Sequence, residues 1–351
     1  MIDRILVPLD GSQLAEQAVP AASALAGKTD AEIILMTSIV PGERWAGDET
    51  SERRRENEQA TAEMYLESLA ERLKQNGVRV RVCVVWGRAA VAITATVDEE
   101  GADVIAMSTH GRSGLVRWVI GSVADKVLRT TRKPLLLVHA SEQAMPEPVR
   151  FERILVPLDG SPVAKSALPF IEGFAQEVGA SLLLEQVIVP AATLYPGEFL
   201  PSNLPVLPEL EEAAKEYLSR IAKEAERAGV AAEVCVDVGY PAETILAAAE
   251  RDKVDIIALS THGRSGPERW IMGSVADAVI RHADCPCLVI PARKAVQPRV
   301  EEVEPSRTPV GIEPAPTVIP APVITETATE RQSPPHPPEE RPHRPERSPG
   351  R

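Results

Sequence analysis

Two stretches of the chain combine a carboxylate, hydroxyls and glycines at spacings suited to holding an anion. The first, Arg4-Ile5-Leu6-Val7-Pro8-Leu9-Asp10-Gly11-Ser12, ends an apolar run on a carboxylate and a helix-capping hydroxyl. In the second, the turn Ser108-Thr109-His110-Gly111-Arg112-Ser113-Gly114 is followed by Gly121-Ser122 at the head of a helical pattern. Backbone amides at a helix N-terminus, approached at a glycine without side-chain hindrance, suit phosphate oxygens. Ser12 can cap its helix and Gly11 can make its turn whether or not a ligand is present, because a cap and a ligand contact can share one strand end. Arg112 either adds positive charge or stays solvated. His110 and His262 could act as bases, but neither has a carboxylate or nucleophile partner identifiable in the sequence, so both are read as turn residues.

Both stretches occur twice. Arg4 to Ser12 returns letter for letter as Arg153 to Ser161, an offset of 149. Ser108 to Gly114 returns as Ser260 to Gly266, and Gly121-Ser122-Val123-Ala124-Asp125 as Gly273 to Asp277, now at an offset of 152. The second copy has gained three residues, most simply in the proline-rich stretch Pro190 to Pro208. A period this long is a duplicated domain and not a solenoid, whose units run about 20–50 residues. The expected boundaries are 1–140 for the first domain, 141–149 for a short stiff linker, 150–293 for the second domain and 294–351 for a tail. That tail has no Phe, Trp or Tyr and fourteen of the 32 prolines. It cannot bury enough apolar surface to offset its chain entropy and is expected to be disordered.

Composition narrows the function. Asp and Glu outnumber Lys and Arg by 51 to 38, for a net charge of -13. This balance argues against nucleic-acid binding, which needs a basic surface. Apolar runs such as Leu135 to Val138 are strand-length, far short of the ~18 residues of a spanning helix. The N-terminus enters a strand-like run at once, without the pattern of a signal peptide, so a cytoplasmic location is expected. Cys83, Cys235, Cys285 and Cys287 form no disulfide framework, and Cys285-Pro286-Cys287 is read as strand packing. No metal site and no catalytic group is expected.

These motifs need elements to position them, and apolar periodicity supplies an alternating set. In the first copy, strands are expected at Ile5 to Leu9, Ile33 to Met36, Val78 to Val85, Val104 to Met107 and Leu135 to Val138. Helices fall at Leu14 to Ala26, Glu56 to Gln75, Ala89 to Glu100 and Ser122 to Thr130, the second with Met64, Leu66, Leu69 and Leu73 in its apolar stripe. Near-continuous apolar strands joined by helical crossovers specify a parallel sheet covered on both faces. The fold class is therefore α/β, with two tandem doubly wound, Rossmann-like domains of five parallel strands each. Ligands of such sheets bind beyond the carboxyl ends of the strands.

At this point the chain resembles the universal stress proteins, a family with an adenine nucleotide alpha hydrolase-like fold. Its ATP-binding members carry Gly-x2-Gly-x9-Gly-Ser/Thr after the fourth strand. Gly111, nine residues, Gly121 and Ser122 match the second half of that pattern, as do Gly263, Gly273 and Ser274. The resemblance covers about residues 1–140 and 150–293. It implies that Asp10 and Asp159 face a ribose and that Pro8-Leu9 and Pro157-Leu158 line an adenosine pocket. Gly121-Ser122 and Gly273-Ser274 would hold phosphates with the loops of Gly111, Gly114, Gly263 and Gly266. Val187 would lie against adenine, with Ser38 as its counterpart in the first copy, so the second copy looks the better site. Gly87 and Gly239 match a family turn near the same crevice. The first glycine of the pattern is Ser108 or Ser260. A positive φ there would cost on the order of 1 kcal/mol, whereas the hydroxyl can instead donate to the ligand.

The resemblance implies ATP as ligand, with Mg2+ or Mn2+ as candidate companions, in a stress-response regulator with slow hydrolysis at most. It also implies an internal pseudo-dimer, Leu135 to Val138 pairing with Leu288 to Ile290, and leaves a homodimer of the whole chain open. A different reading is an interaction protein with an empty crevice, whose tail recruits a partner through Pro-x2-Pro segments such as Pro334 to Pro338. A nucleotidyl-transferring or ATP-pyrophosphatase enzyme of the same fold would need basic or histidine constellations that the sequence lacks. Neither a Gly-x4-Gly-Lys-Ser/Thr loop nor a Gly-x-Gly-x2-Gly fingerprint is present.

Overall fold

The computed structural model describes residues 1–40, 49–109, 120–139, 149–190, 207–261 and 272–291. The first copy runs β1 (Arg4–Pro8), α1 (Gln13–Glu16), α2 (Ala18–Thr29), β2 (Glu32–Ile39), α3 (Glu49–Gln75), β3 (Val80–Trp86), α4 (Ala89–Glu99), β4 (Val104–Ser108), α5 (Ser122–Thr130) and β5 (Leu135–Val138). The second runs β6 (Arg153–Pro157), α6 (Pro162–Lys165), α7 (Leu168–Val178), β7 (Ser181–Ile188), α8 (Leu207–Arg227), β8 (Ala232–Val238), α9 (Pro241–Arg251), β9 (Ile256–Ser260), α10 (Ser274–His282) and β10 (Cys287–Ile290). β7 keeps the 149 offset from β2 and β8 the 152 offset from β3, so the three added residues lie between those strands.

Each copy forms a parallel sheet, and the two join in one ten-stranded sheet of order β3-β2-β1-β4-β5-β10-β9-β6-β7-β8. The seam is the only antiparallel pairing among the described strands, with Leu137 opposite Cys287, Leu136 opposite Leu288 and Leu135 opposite Val289. It turns two strand edges into one continuous ladder. Alternation along the strands serves two cores. Ile5, Val7, Ile33 and Leu35 face the layer of α2 and α3, while Leu6, Ile34 and Met36 face that of α4 and α5. Both cores run on into the second copy, through Phe151 and Phe174 on one face and Val279 and Ile280 on the other.

The helix expected over Leu14 to Ala26 is two helices, α1 and α2, separated at Gln17. Pro20 is the reason, since it has no amide to donate to the carbonyl of Glu16. Pro169 stands at the same place in the second copy and divides α6 from α7. Met64 does not join the apolar stripe of α3. It is 65% exposed, whereas Leu66, Leu69 and Leu73 are buried. The latter three sit at i, i+3 and i+7, and a residue two positions before Leu66 points to the other side of the helix. Strands β2 and β3 extend past their apolar runs to Ile39 and Trp86 because they pair residue by residue, from Ile33 with Val80 to Ile39 with Trp86. The linker up to residue 148, the tail and the turns around His110 and His262 lie outside the described residues.

Candidate functional site

The site begins where β1 ends. Gly11 takes a φ of 79°, as Gly160 does in the second copy, and this left-handed turn reverses the chain into α1. The carboxylate of Asp10 accepts from the Ser12 amide at 3.0 Å and from its hydroxyl at 2.6 Å, while Ser12 Oγ caps α1 by accepting from the Ala15 amide at 3.1 Å. Asp159 and Ser161 repeat the arrangement, with Ser161 N donating to Asp159 at 2.9 Å and Ser161 Oγ capping α6. The cap and the fixed carboxylate are therefore one local device. It holds Asp10 and Asp159 half-exposed at the mouth of the sheet.

Strand β4 delivers the second part. Ser108 ends the strand and is buried, as is Thr109. Among the described residues only Asp30 and Lys253 combine a side chain with positive φ. The strain that a glycine-type conformation would impose on Ser108 or Ser260 is thus absent. The amide of Gly121 donates to the Thr109 carbonyl at 2.7 Å, and Gly273 repeats this with Thr261 at 2.9 Å. The first intrahelical bond of α5 is Asp125 N to Gly121 O. The amides of Ser122, Val123 and Ala124 precede it, so the donors without a helical acceptor lie one to three residues beyond the glycine.

These parts meet around a cavity of about 230 Å3 in the first copy, bordered by Pro8, Leu9, Asp10, Ser38, Ser108, Gly121 and Ser122. Every described site residue expected of this copy is there. The lining also includes Thr109 of the quoted turn and Met36, Ala89, Ile93 and Met107, which motif reading passed over. Ala89 and Ile93 share one face of the first turns of α4, a periodicity visible in the sequence but indistinguishable from ordinary core packing. The volume is below the ~300–1,000 Å3 of pockets that enclose a whole drug-sized ligand. It suits a ligand that is only partly enclosed. A more open groove of about 490 Å3 between α3 and Trp86 gathers none of the expected residues. Gly111, Gly114, Gly263 and Gly266 lie outside the described residues.

In the second copy Pro157, Leu158, Asp159, Val187, Ser260, Gly273 and Ser274 hold the corresponding stations. Gly87 and Gly239 each donate to the end of the neighbouring strand, to Ile39 O at 2.9 Å and Ile188 O at 3.0 Å. One station differs sharply. Pro8 lies opposite Met36, whereas Pro157 lies opposite Glu185. Glu185 is fully buried, and neither carboxyl oxygen meets a hydrogen-bond donor. Its polar neighbour is another acid, Asp237, with which it can hydrogen-bond only when one of the two carries a proton. Burial, reinforced by that negative neighbour, pushes Glu185 up to about 8. Asp237 is partly buried, but hydrogen bonds from Arg251 at 3.1 and 3.2 Å and from Cys235 Sγ at 3.1 Å hold it below the usual carboxylate range. Among the described residues no group of acidic, histidine or cysteine side chains could hold a metal ion, and no helix is long and apolar enough to cross a membrane.

Comparison with known proteins agrees with this duplicated architecture. The universal stress protein family model matches residues 1–139 and again 150–291. A universal stress protein of Methanocaldococcus jannaschii is 34% identical over 142 residues, 40% of this chain and 82% of that one. A Mycolicibacterium smegmatis universal stress protein is 27% identical over 297 residues, covering 82% of this chain and 97% of its own. The crystal structure of a universal stress protein from Archaeoglobus fulgidus has a TM-score of 0.61 at 21% identity, over 82% of this chain and 98% of that one, and so shares the fold. With both halves matched by the same model and folded alike around equivalent strand ends, the chain is a tandem, two-domain member of the universal stress protein family.

Proposed function

We propose that the chain binds ATP or a related adenine nucleotide at the carboxyl ends of its strands and works as a stress-linked regulator, not a turnover enzyme. The observation that carries this reading is the single cavity bringing Asp10, the Pro8-Leu9 backbone, Ser38 and the N-terminus of α5 together. In this reading the heterocycle lies between β1, β2 and α4, with Ser38 or Val187 beside it. Asp10 or Asp159 accepts from ribose hydroxyls, and the amides of Ser122 to Ala124, or of their counterparts after Gly273, hold phosphate oxygens. A divalent cation would screen the phosphates. Backbone amides suit this task because the chain as a whole is acidic and its field opposes an anionic ligand.

The test is to purify the chain, denature it and assay the released small molecules for adenine nucleotide, then repeat with Gly121→Val and Gly273→Val. Both glycines have φ near -60° and ψ near 146°, which any residue can adopt, so valine there imposes no backbone strain, and melting curves of the variants check that they remain folded. Nucleotide released from the unaltered chain and reduced in either variant supports the reading. A chain carrying none and taking up none overturns it in favour of an empty-crevice interaction protein.

A further inference from the structure

The two crevices share their frame and differ in their floor. At the station where Met36 borders the first cavity, the second copy places Glu185, and the backbone fixes the equivalence: Leu9 N donates to Met36 O at 2.7 Å and Leu158 N to Glu185 O at 2.8 Å. Glu185 therefore emerges on the same face of the sheet as Val187, two residues on, beneath α9. A fully buried carboxyl whose hydrogen-bonding neighbour is another acid is expensive to keep, and a structural role would be served better by the methionine of the first copy. Its surroundings define its chemistry. Strand β8 presents Cys235 and Asp237, and α9 and its C-terminal end present Arg251 and Asp252. Arg251 holds Asp237 ionised, so the proton shared between the two acids belongs to Glu185. Glu185 can then donate its hydroxyl to Asp237 and keep its carbonyl oxygen as an acceptor.

We propose that Glu185 is a specificity-determining residue of the second crevice, where its carboxyl accepts a hydrogen bond from the exocyclic amino group of a purine nucleotide. This rests on the reading of the crevices as nucleotide sites. It makes the two sites chemically unequal, since Met36 offers the first crevice no comparable acceptor. The second site is then proton-linked. Ionisation of Glu185 places a second negative charge beside Asp237, removes the donor that joins them and adds a negative charge to the floor of a site that takes an anionic ligand, while the first crevice has no such group at this station.

The experiment titrates ATP, and separately ITP, which lacks the exocyclic amino group, into the full chain at pH 7 and pH 9. The unaltered chain, Glu185→Gln and Glu185→Met are compared. The unaltered chain should show two classes of ATP site. One should weaken from pH 7 to pH 9, as Glu185 gains a charge that repels an anionic ligand, and should disfavour ITP. Glu185→Gln, which mimics the neutral acid, should bind ATP at both pH values. Glu185→Met should weaken that site at pH 7 and remove its pH dependence and its ATP preference, leaving the other class unchanged. ATP sites that are all insensitive to pH, equal affinity for ATP and ITP, or an unaltered pH profile in Glu185→Met would each overturn the inference while leaving the nucleotide reading intact. No ATP binding to the unaltered chain at pH 7 would overturn both. If the methionine variant does not fold, the ATP and ITP titrations of the unaltered chain and Glu185→Gln decide the matter.

Discussion

Leu288 lies directly opposite Leu136 at the centre of the antiparallel seam, and both side chains are fully buried. This pair joins the halves of the chain into one sheet. It also brings the helices that flank the crevices side by side: Arg129 of α5 pairs with Asp125 and Arg281 of α10 with Asp277, and each arginine also feels the other copy's aspartate.

Leu288→Ala should destabilise the chain by about 2–5 kcal/mol, the usual range for a leucine truncated in a packed core. Denaturant unfolding checks this. A loss below about 1 kcal/mol would mean that the seam packs loosely and that the halves do not depend on it.

Ser12→Ala removes the α1 cap, in which Ser12 Oγ accepts from the Ala15 amide, and the hydrogen bond that the hydroxyl donates to Asp10. A stability loss of about 1 kcal/mol is expected from the cap. The carboxylate of Asp10 also loses the hydroxyl that orients it, so nucleotide affinity should fall in the first site alone. Calorimetry of the variant separates the two effects, and an unchanged affinity would detach Asp10 from the ligand.

The stability of the folded chain should carry the signature of Glu185. Folded, this residue keeps its proton up to about pH 8, whereas unfolded it releases it in the ordinary carboxylate range. The folded state therefore binds the additional proton between those values. Stability from this group falls as pH rises through that window and levels off above it. Glu185→Met should flatten this slope and raise the melting temperature most at pH 9. Parallel melting curves for the variant and the unaltered chain from pH 5 to pH 9 would contradict this.

Much of the architecture was legible in the sequence because duplication prints every signal twice. The repeated Arg-Ile-Leu-Val-Pro-Leu-Asp-Gly-Ser and Gly-Ser-Val-Ala-Asp segments located β1 and α5 and their counterparts, and the apolar runs located β4 and the seam strands. Strand ends were less legible. Ser38, Ile39 and Trp86 belong to strands through partners that sequence does not display. The break before α2 could have been found from Pro20 alone. The difference between Met36 and Glu185 was also in plain view, but a single acid in an apolar strand reads as a solvent-facing residue until register shows which face it occupies.

The central claim, that strand ends in a tandem universal stress protein hold an adenine nucleotide, is tested most directly by titrating ATP into the nucleotide-stripped full chain by calorimetry. Saturable binding tighter than millimolar, lost stepwise in Gly121→Val and Gly273→Val and abolished in the double variant, is the predicted result. No heat of binding into the millimolar range, or binding that persists undiminished in the double variant, would contradict it.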